Sequence, residues 1–353
     1  MSDPENVLIY RLGSLGDTVV ALPAFHLVRA RFPKARITLL TNRPVASKAA
    51  PVEAILGSGF FFDDVLDYPV GTRDPHLLLS LIRELRKRRI ATVVTLAASR
   101  GRRAALRDQL FFKLAGAKTI VGSPREKCDF EVCRDPATGL YEWETGRLLR
   151  RLGALGKIDS QSDEAWDLRL TGAEIGEARS LTAAFDGARF IAMSIGTKVP
   201  ANDWEESNWR ELLSRLDRKY CGWGLLLFGA SEERTKSEGY STGWTGPVIN
   251  LCGAVSPRVS AAAVKNARIF IGHDSGPMHL AAAVGVPCVG IFAARHPPGW
   301  WYPRGGGKNR IIYHQTDCYG CGLDECIVEK KKCILGISAD EVERAVGEIL
   351  AAA

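Results

Sequence analysis

The sequence predicts an α/β protein of two doubly wound halves facing a central cleft. Three observations carry this. Short apolar runs alternate with helical periodicity along most of the 353 residues. The alternation restarts near residue 190 after a polar stretch, and the length suits two domains of ordinary size. Glycine-bearing loops follow several strands, at the edge where open parallel sheets bind ligands.

In the first half, strands are expected at Val7–Tyr10, Arg36–Leu40, Val65–Tyr68, Thr92–Leu96 and Thr119–Gly122. Helices are expected over Thr18–Phe32, Pro44–Ala50, Pro75–Arg88, Arg103–Ala115 and Trp143–Leu155. Such alternation builds a parallel sheet covered on both faces. Gly156 to about Gly187, including Asp159-Ser160-Gln161-Ser162-Asp163-Glu164, reads as an irregular crossover. The second half has expected strands at Phe190–Ser194, Gly224–Phe228, Val248–Leu251, Ile269–Ile271 and Cys288–Phe292. Its expected helices are Ser207–Lys219, Ser231–Glu238, Ser256–Ala267 and Gly276–Val284. The domains are thus expected at 1–175 and 176–337, with a terminal helix in 338–353 packing back on the first domain.

A hydrophobic fraction of 46% and a charged fraction of 25% indicate a soluble globular chain. No apolar run approaches the roughly 18 residues of a membrane span, and no basic-then-apolar leader opens the sequence. A cytoplasmic location is expected, with peripheral contact at the inner face of the membrane as an option. The net charge is +7. Much of the excess lies in Arg83–Arg89 and in Arg100-Gly101-Arg102-Arg103 with Arg107. A solvated helix face is the simplest reading. An anionic acceptor or an acidic lipid surface comes next, ahead of nucleic acid, because aromatic residues for base stacking are few there.

The loop Arg11-Leu12-Gly13-Ser14-Leu15-Gly16-Asp17-Thr18 lies between the first strand and the first helix. Its glycines let the backbone approach a ligand, and Asp17 falls at the helix N-terminus. A carboxylate there repels a phosphate, so it reads as meeting a neutral hydroxyl or as a plain helix cap. In the second half, Asp274-Ser275-Gly276-Pro277-Met278-His279 follows a strand and opens a helix. Its free N–H groups suit a phosphate or diphosphate, Ser275 adds a hydroxyl, and Pro277 fits the first turn. His279 is read either with this site or as a satisfied core histidine. Thr197 and Lys198 follow another strand, where Lys198 can neutralise a phosphate. Glu232 and Glu233 follow a third, placed to accept hydrogen bonds from a ribose diol or to serve the helix dipole.

Three of these segments together resemble the heptosyltransferases, glycosyltransferase family nine. The resemblance rests on Gly13-Ser14-Leu15-Gly16-Asp17 with Leu22-Pro23-Ala24, on Trp204-Glu205-Glu206-Ser207-Asn208-Trp209, and on Asp274 through Ala282. It implies the GT-B fold of two Rossmann-like domains, the acceptor domain first and the nucleotide-sugar domain second. It implies that Asp17 is the general base of an inverting transfer and that residues 274–276 hold the donor diphosphate. Gly16, Thr197, Lys198, Glu232, Glu233, Asp274, Ser275, Gly276, Pro277 and His279 are the expected donor contacts. Relatives often carry a lysine two residues before the first tryptophan of the middle motif; here that position is Asn202, and Lys198 is the replacement. The implied donor is ADP-heptose, and the implied acceptor an anionic or lipid-linked saccharide of the cell envelope.

Leaving-group stabilisation is expected without a catalytic metal, because the chain contains no Asp-x-Asp pair. The cysteines tell a separate story. Cys318, Cys321, Cys326 and Cys333 are close enough in sequence for a closed four-sulfur site holding one structural zinc. Iron is the other candidate, because a branch of the resembled family holds iron through cysteines. Cys128, Cys133, Cys221, Cys252 and Cys288 are expected to be buried small side chains or inert thiols. The alternatives to heptosyl transfer are a nucleotide-sugar epimerase or hydrolase on the same scaffold, and transfer of another sugar or to a protein. More remote is a metal-stabilised nucleic-acid-binding protein.

Overall fold

In the computed structural model, which describes residues 6–43, 50–69 and 71–352, the chain divides into two units between Arg169 and Leu170. The first unit contains strands β1 (Asn6–Tyr10), β2 (Arg36–Arg43), β3 (Asp64–Pro69), β4 (Thr92–Thr95) and β5 (Thr119–Val121). Its helices are α1 (Leu15–Val20), α2 (Leu22–Arg31), α3 (Val52–Leu56), α4 (Pro75–Lys87), α5 (Arg102–Leu114), α6 (Lys127–Phe130) and α7 (Glu144–Arg151). All ladders are parallel, in the order β3-β2-β1-β4-β5. The order therefore reverses between β1 and β4, and the loops after those two strands flank the reversal, the usual ligand position of such sheets. Val7 to Tyr10 are all buried, as expected of a central parallel strand covered on both faces.

The helix expected over Thr18–Phe32 is two helices joined at Ala21. Pro23 has no N–H to give Val19, so the ladder restarts with Ala24 and Phe25 donating to the Ala21 carbonyl. The helix expected over 44–50 lies, except for its last residue, outside the described residues. The short helices α3 and α6 were missed because four or five residues are too few to show a period. Cys128 and Cys133 are joined in a disulfide, contrary to the expectation of inert thiols. Cys221 is exposed, while Cys252 and Cys288 are buried as expected.

The second unit contains β6 (Phe190–Ser194), β7 (Gly224–Leu227), β8 (Val248–Asn250), β9 (Ile269–His273), β10 (Cys288–Phe292) and β11 (Arg310–Tyr313). Its helices are α8 (Gly172–Leu181), α9 (Glu206–Lys219), α10 (Arg234–Tyr240), α11 (Pro257–Val264), α12 (Gly276–Ala283), α13 (Lys332–Leu335) and α14 (Ala339–Ala352). The parallel order is β11-β10-β9-β6-β7-β8, so here the reversal falls between β9 and β6. Alternate strand residues feed opposite cores: Ile191 and Met193 join one with Trp204 and Trp209, while Phe190 and Ala192 join the other with Phe270 and Met278.

Three expectations change in this unit. The stretch 156–187 is not wholly irregular: α8 starts at a Thr171–Glu174 capping box, and Glu174 pairs with Arg258 at 2.6 Å. Strand β11 was missed because it follows a glycine run and all four of its residues are half-buried, leaving no alternation to read. The terminal helix α14 buries Val342, Val346 and Ile349 in the core of the second unit, beside Leu212 and Leu216 of α9. Among the described residues, no helix is long and apolar enough to cross a membrane.

Candidate functional site

The candidate site of the first unit is the loop after β1. Gly13 adopts a φ of +139°, and a Cβ there would come within 2.5 Å of Asp17 Cβ, so only glycine fits beside that carboxylate. The Asp17 Oδ2 accepts the Ser14 N–H at 2.7 Å and the Ser14 hydroxyl at 2.8 Å. This is the helix-cap geometry that the sequence left open. Among the described residues the other oxygen, Oδ1, has no hydrogen-bond partner, so one lone-pair face of the carboxylate remains available. Gly16 lies in the first turn of α1, one residue before Asp17.

Arg11, missed by sequence reasoning, fixes this loop from beneath. It is fully buried, and its guanidinium donates to the Asp17 and Leu96 carbonyls, tying together the loops that follow β1 and β4. Burial lowers its pKa, while the charges of Asp17 and Glu144 oppose that shift. Glu144 is itself buried and held by Arg147 at 2.7 Å. The apolar run before Arg11 continues the strand inward, which is the one available signal that this arginine is interior.

The candidate site of the second unit gathers the loops leaving β6, β7 and β9. Ser275 is the N-cap of α12, and its hydroxyl is buried without a hydrogen-bond partner among the described residues. Such an orphan is costly unless a ligand supplies a partner. Gly276 and Pro277 form the first turn. His279 is buried 3.8 Å from Asp274 Oδ1, too long for a hydrogen bond. The Ser194 hydroxyl at the end of β6, across the strand reversal, is likewise buried and unpartnered among the described residues.

Glu233 ties two of these loops: its Oε2 accepts the Ala230 N–H at 2.8 Å, and its carboxylate packs against the backbone of Gly196 and Gly229. Glu232 is exposed and accepts from the Ser231 hydroxyl at 3.1 Å. The Thr197 hydroxyl is engaged with Val199 in its own turn, and Lys198 is exposed on that turn. Asn202 is buried with its Oδ1 unpartnered among the described residues.

His273, also missed from sequence, is the hub of these loops. It is fully buried; its Nε2 accepts the Trp204 N–H at 3.2 Å and its Nδ1 lies 3.3 Å from the Gly196 carbonyl. That pair of partners fits the neutral tautomer with the proton on Nδ1. Burial pulls its pKa down to about 4, with the Gly196 carbonyl and Asp203 opposing the shift.

Cys318, Cys321, Cys326 and Cys333 all line one cavity of about 20 Å³ in the second unit. Gly320 and Gly322, both at positive φ, turn the chain between them and donate to the Ala294 and Arg295 carbonyls. The Cys326 sulfur accepts the Lys331 N–H at 3.2 Å, and this with a bond from the Glu329 N–H lowers its pKa. Burial raises that of Cys333, reinforced by the neighbouring Cys318 and Cys326. Among the described residues, no three His, Cys, Asp or Glu side chains already form a set able to hold a metal ion.

The basic segments are partly used within the first unit. Arg88 pairs with Asp64 and Glu84, Arg86 donates to the Leu114 carbonyl at 2.7 Å, and Arg102 lies 5.1 Å over the Phe130 ring.

The chain is similar to several known proteins. A lipopolysaccharide heptosyltransferase 1 from Pseudomonas aeruginosa is 31% identical over 126 residues, which cover 34% of this chain and 33% of that protein. The chain thus aligns with about a third of that curated relative's length. A glycosyl transferase family 9 structure from Veillonella parvula superposes with a TM-score of 0.72 at 16% identity, covering 100% of this chain and 99% of that one. An E. coli ADP-heptose lipopolysaccharide heptosyltransferase II superposes with a TM-score of 0.65 at 16% identity, over 98% and 99% of the two chains. These likenesses establish the GT-B fold. The model of glycosyltransferase family 9 (heptosyltransferase) matches residues 156–332, half of the chain. The chain therefore belongs to glycosyltransferase family 9, the heptosyltransferases.

Proposed function

We propose that this protein transfers a heptosyl group, with inversion, from ADP-heptose to a hydroxyl of a lipopolysaccharide-type saccharide. The single observation that carries the reading is the state of the Asp17 carboxylate. One oxygen is held by Ser14, and the other has no partner among the described residues, at the strand reversal where a ligand binds. A carboxylate so oriented serves as a general base. In the proposed step, Oδ1 of Asp17 takes the proton of the acceptor hydroxyl as that oxygen bonds to the anomeric carbon. The bond from that carbon to the diphosphate oxygen breaks on the opposite face, and ADP leaves with the electron pair.

The two units divide this work, the first binding acceptor and the second binding donor. Ser275 and the N–H groups of Gly276 and its neighbours receive the diphosphate, where the dipole of α12 favours negative charge. Lys198 adds a point charge, Thr197 shapes its turn, and Glu232 is placed for the ribose diol. Glu233 holds the loops together, and Asp274 and His279 border the sugar. Charge on the leaving ADP is met by these groups, so no divalent ion takes part. The exposed arginines of the first unit face an anionic acceptor or the inner membrane surface, which makes the protein peripheral and cytoplasmic.

The four cysteines are the proposed ligands of one structural metal ion, zinc or iron, although no metal-holding set is formed among the described residues. The supporting observation is that all four border a single small cavity, with a backbone N–H already donated to the Cys326 sulfur. Thiolates at all four positions close the coordination sphere, so the ion supplies folding energy and no chemistry.

The decisive test is ADP release from ADP-heptose, measured with and without a heptose-deficient lipopolysaccharide acceptor, in buffer with and without EDTA. Acceptor-dependent release that survives EDTA is expected. Equal release without acceptor identifies a hydrolase or epimerase instead. Loss in EDTA that magnesium restores, with the fold intact, overturns the metal-free step.

A further inference from the structure

The first unit holds a cavity of about 570 Å³ at the C-terminal ends of β1, β2 and β3, beneath α4 and α5. That volume falls within the roughly 300–1,000 Å³ of small-molecule pockets. Its wall is formed by Leu12, Leu40, Leu78, Leu81, Phe111 and Phe112. A polar edge interrupts that wall. The Tyr10 and Tyr68 hydroxyls are 2.8 Å apart, and Arg100 donates to Tyr10 at 2.9 Å while pairing with Asp108 at 2.5 Å. Burial raises the pKa of both tyrosines, so they remain neutral hydroxyls.

The charges at this edge do not cancel. Arg107 shares Asp108 with Arg100, and Arg73, exposed on the same lining, forms no ion pair among the described residues. Three arginines thus meet one carboxylate among the lining residues. An uncharged sugar would leave the excess positive charge unmet, and a free inorganic anion would leave the leucine and phenylalanine wall wet. An occupant with both an apolar body and an anionic head satisfies both.

A second observation points the same way. On α5, which supplies four of the lining residues, Leu106, Leu110 and Leu114 are 66%, 59% and 50% exposed at four-residue spacing. Single exposed leucines are ordinary, but three in one stripe beside Arg103, Arg107 and Lys113 form an apolar and cationic surface. The cavity and this stripe share one helix.

We propose that this cavity binds the hydrocarbon chain of an anionic amphiphile, with its phosphate or carboxylate head held by Arg73, Arg100 and Arg107. The proposal deepens the acceptor assignment of the first unit and rests on it for the ligand's role, as the lipid end of the acceptor. Binding itself needs no donor and no turnover, so its failure and that of the transfer reading are read separately.

The test is calorimetric titration of the full chain with monomeric hexyl, octyl and decyl phosphate, beside inorganic phosphate and neutral octyl glucoside. Affinity is expected to rise roughly fourfold per added methylene until the cavity is full. Inorganic phosphate and octyl glucoside are expected to bind at least tenfold more weakly than octyl phosphate. Leu78→Trp, which fills the cavity, should remove octyl phosphate binding, and Arg73→Gln with Arg107→Gln should weaken it about tenfold or more. Octyl phosphate binding no tighter than inorganic phosphate overturns the proposal, as does full affinity in folded Leu78→Trp. Should Leu78→Trp fail to fold, transferred magnetisation between ligand methylenes and the Leu78 and Leu81 methyl groups of the native chain decides, and its absence overturns the proposal. Adsorption to phosphatidylglycerol vesicles without any binding of the monomeric phosphates would assign the arginines to a membrane surface and also overturn it.

Discussion

Glu233 occupies the space that a side chain at Gly196 would need: a Cβ there would lie 1.9 Å from Glu233 Cδ and 2.0 Å from Oε1. The same carboxylate stands 2.1 Å from where a Cβ of Gly229 would be, so two loops of the second unit close on one acidic side chain. Gly196→Ala must push that carboxylate aside. Because the displaced group is the end of a flexible chain, the fold should survive with Tm lowered by a few degrees, the usual response to about 1 kcal/mol. Affinity for ADP should fall about tenfold as the loops separate, equivalent to ~1.4 kcal/mol. Calorimetric titration with ADP, beside a thermal melt, checks both.

Asp17→Asn keeps the shape of the cap but loses the base. Turnover is expected to drop about a hundredfold or more, the usual scale for a general base. ADP affinity should be unchanged, because Asp17 and the loops proposed to bind ADP belong to different units. Steady-state kinetics with acceptor present, set beside ADP titration, separates the two effects. Near-normal kcat would leave Asp17 as a helix cap alone.

His273 links stability to pH. Its pKa is about 4 in the folded chain, against about 6.5 when unfolded, so the unfolded state binds the extra proton between those values. The stabilisation is full above pH 6.5 and is lost as pH falls towards 4. The shift corresponds to ~3 kcal/mol. His273→Gln should be less stable at pH 7 but show a shallower decline down to pH 4.5. Urea denaturation of both proteins at four pH values measures the difference, and parallel curves would remove His273 from the acid limb.

Replacing Cys318, Cys321, Cys326 or Cys333 by Ser should lower metal content and Tm together, leaving the kcat of the residual folded protein close to normal. Elemental analysis of protein prepared under reducing conditions provides the first number. A fully folded preparation with no metal and four titratable thiols would end the metal assignment.

Most of both sheets was legible because central parallel strands are short runs of apolar residues, as in Val7–Tyr10 and Cys288–Phe292. What periodicity cannot register is the local hydrogen-bond decision. Pro23 splits one helix into two, and Thr171 with Glu174 starts a helix inside a polar stretch. The loops bearing Asp17 and Ser275 were legible as glycine- and serine-rich turns between a strand and a helix. Arg11 and His273 were not. Each is a polar residue whose function is to satisfy backbone groups of distant loops, and only the folded topology brings Leu96 to Arg11 or Gly196 to His273. Arg11 stands just past its strand and His273 at the end of its own, where an apolar run marks the strand as interior but does not say which loops the polar side chain will tie.

The docking of α14 into the second unit has a consequence for how the chain emerges during synthesis. The cluster around Trp204 and Trp209 spans residues from Ile191 to Ile349, so it stays open until the helix carrying Val342 and Val346 has left the ribosome. The first unit draws its sheet from residues 6–121 and meets no such delay. Its Arg11–Asp17 loop can form while the second unit is still a nascent chain, and the two units mature in sequence.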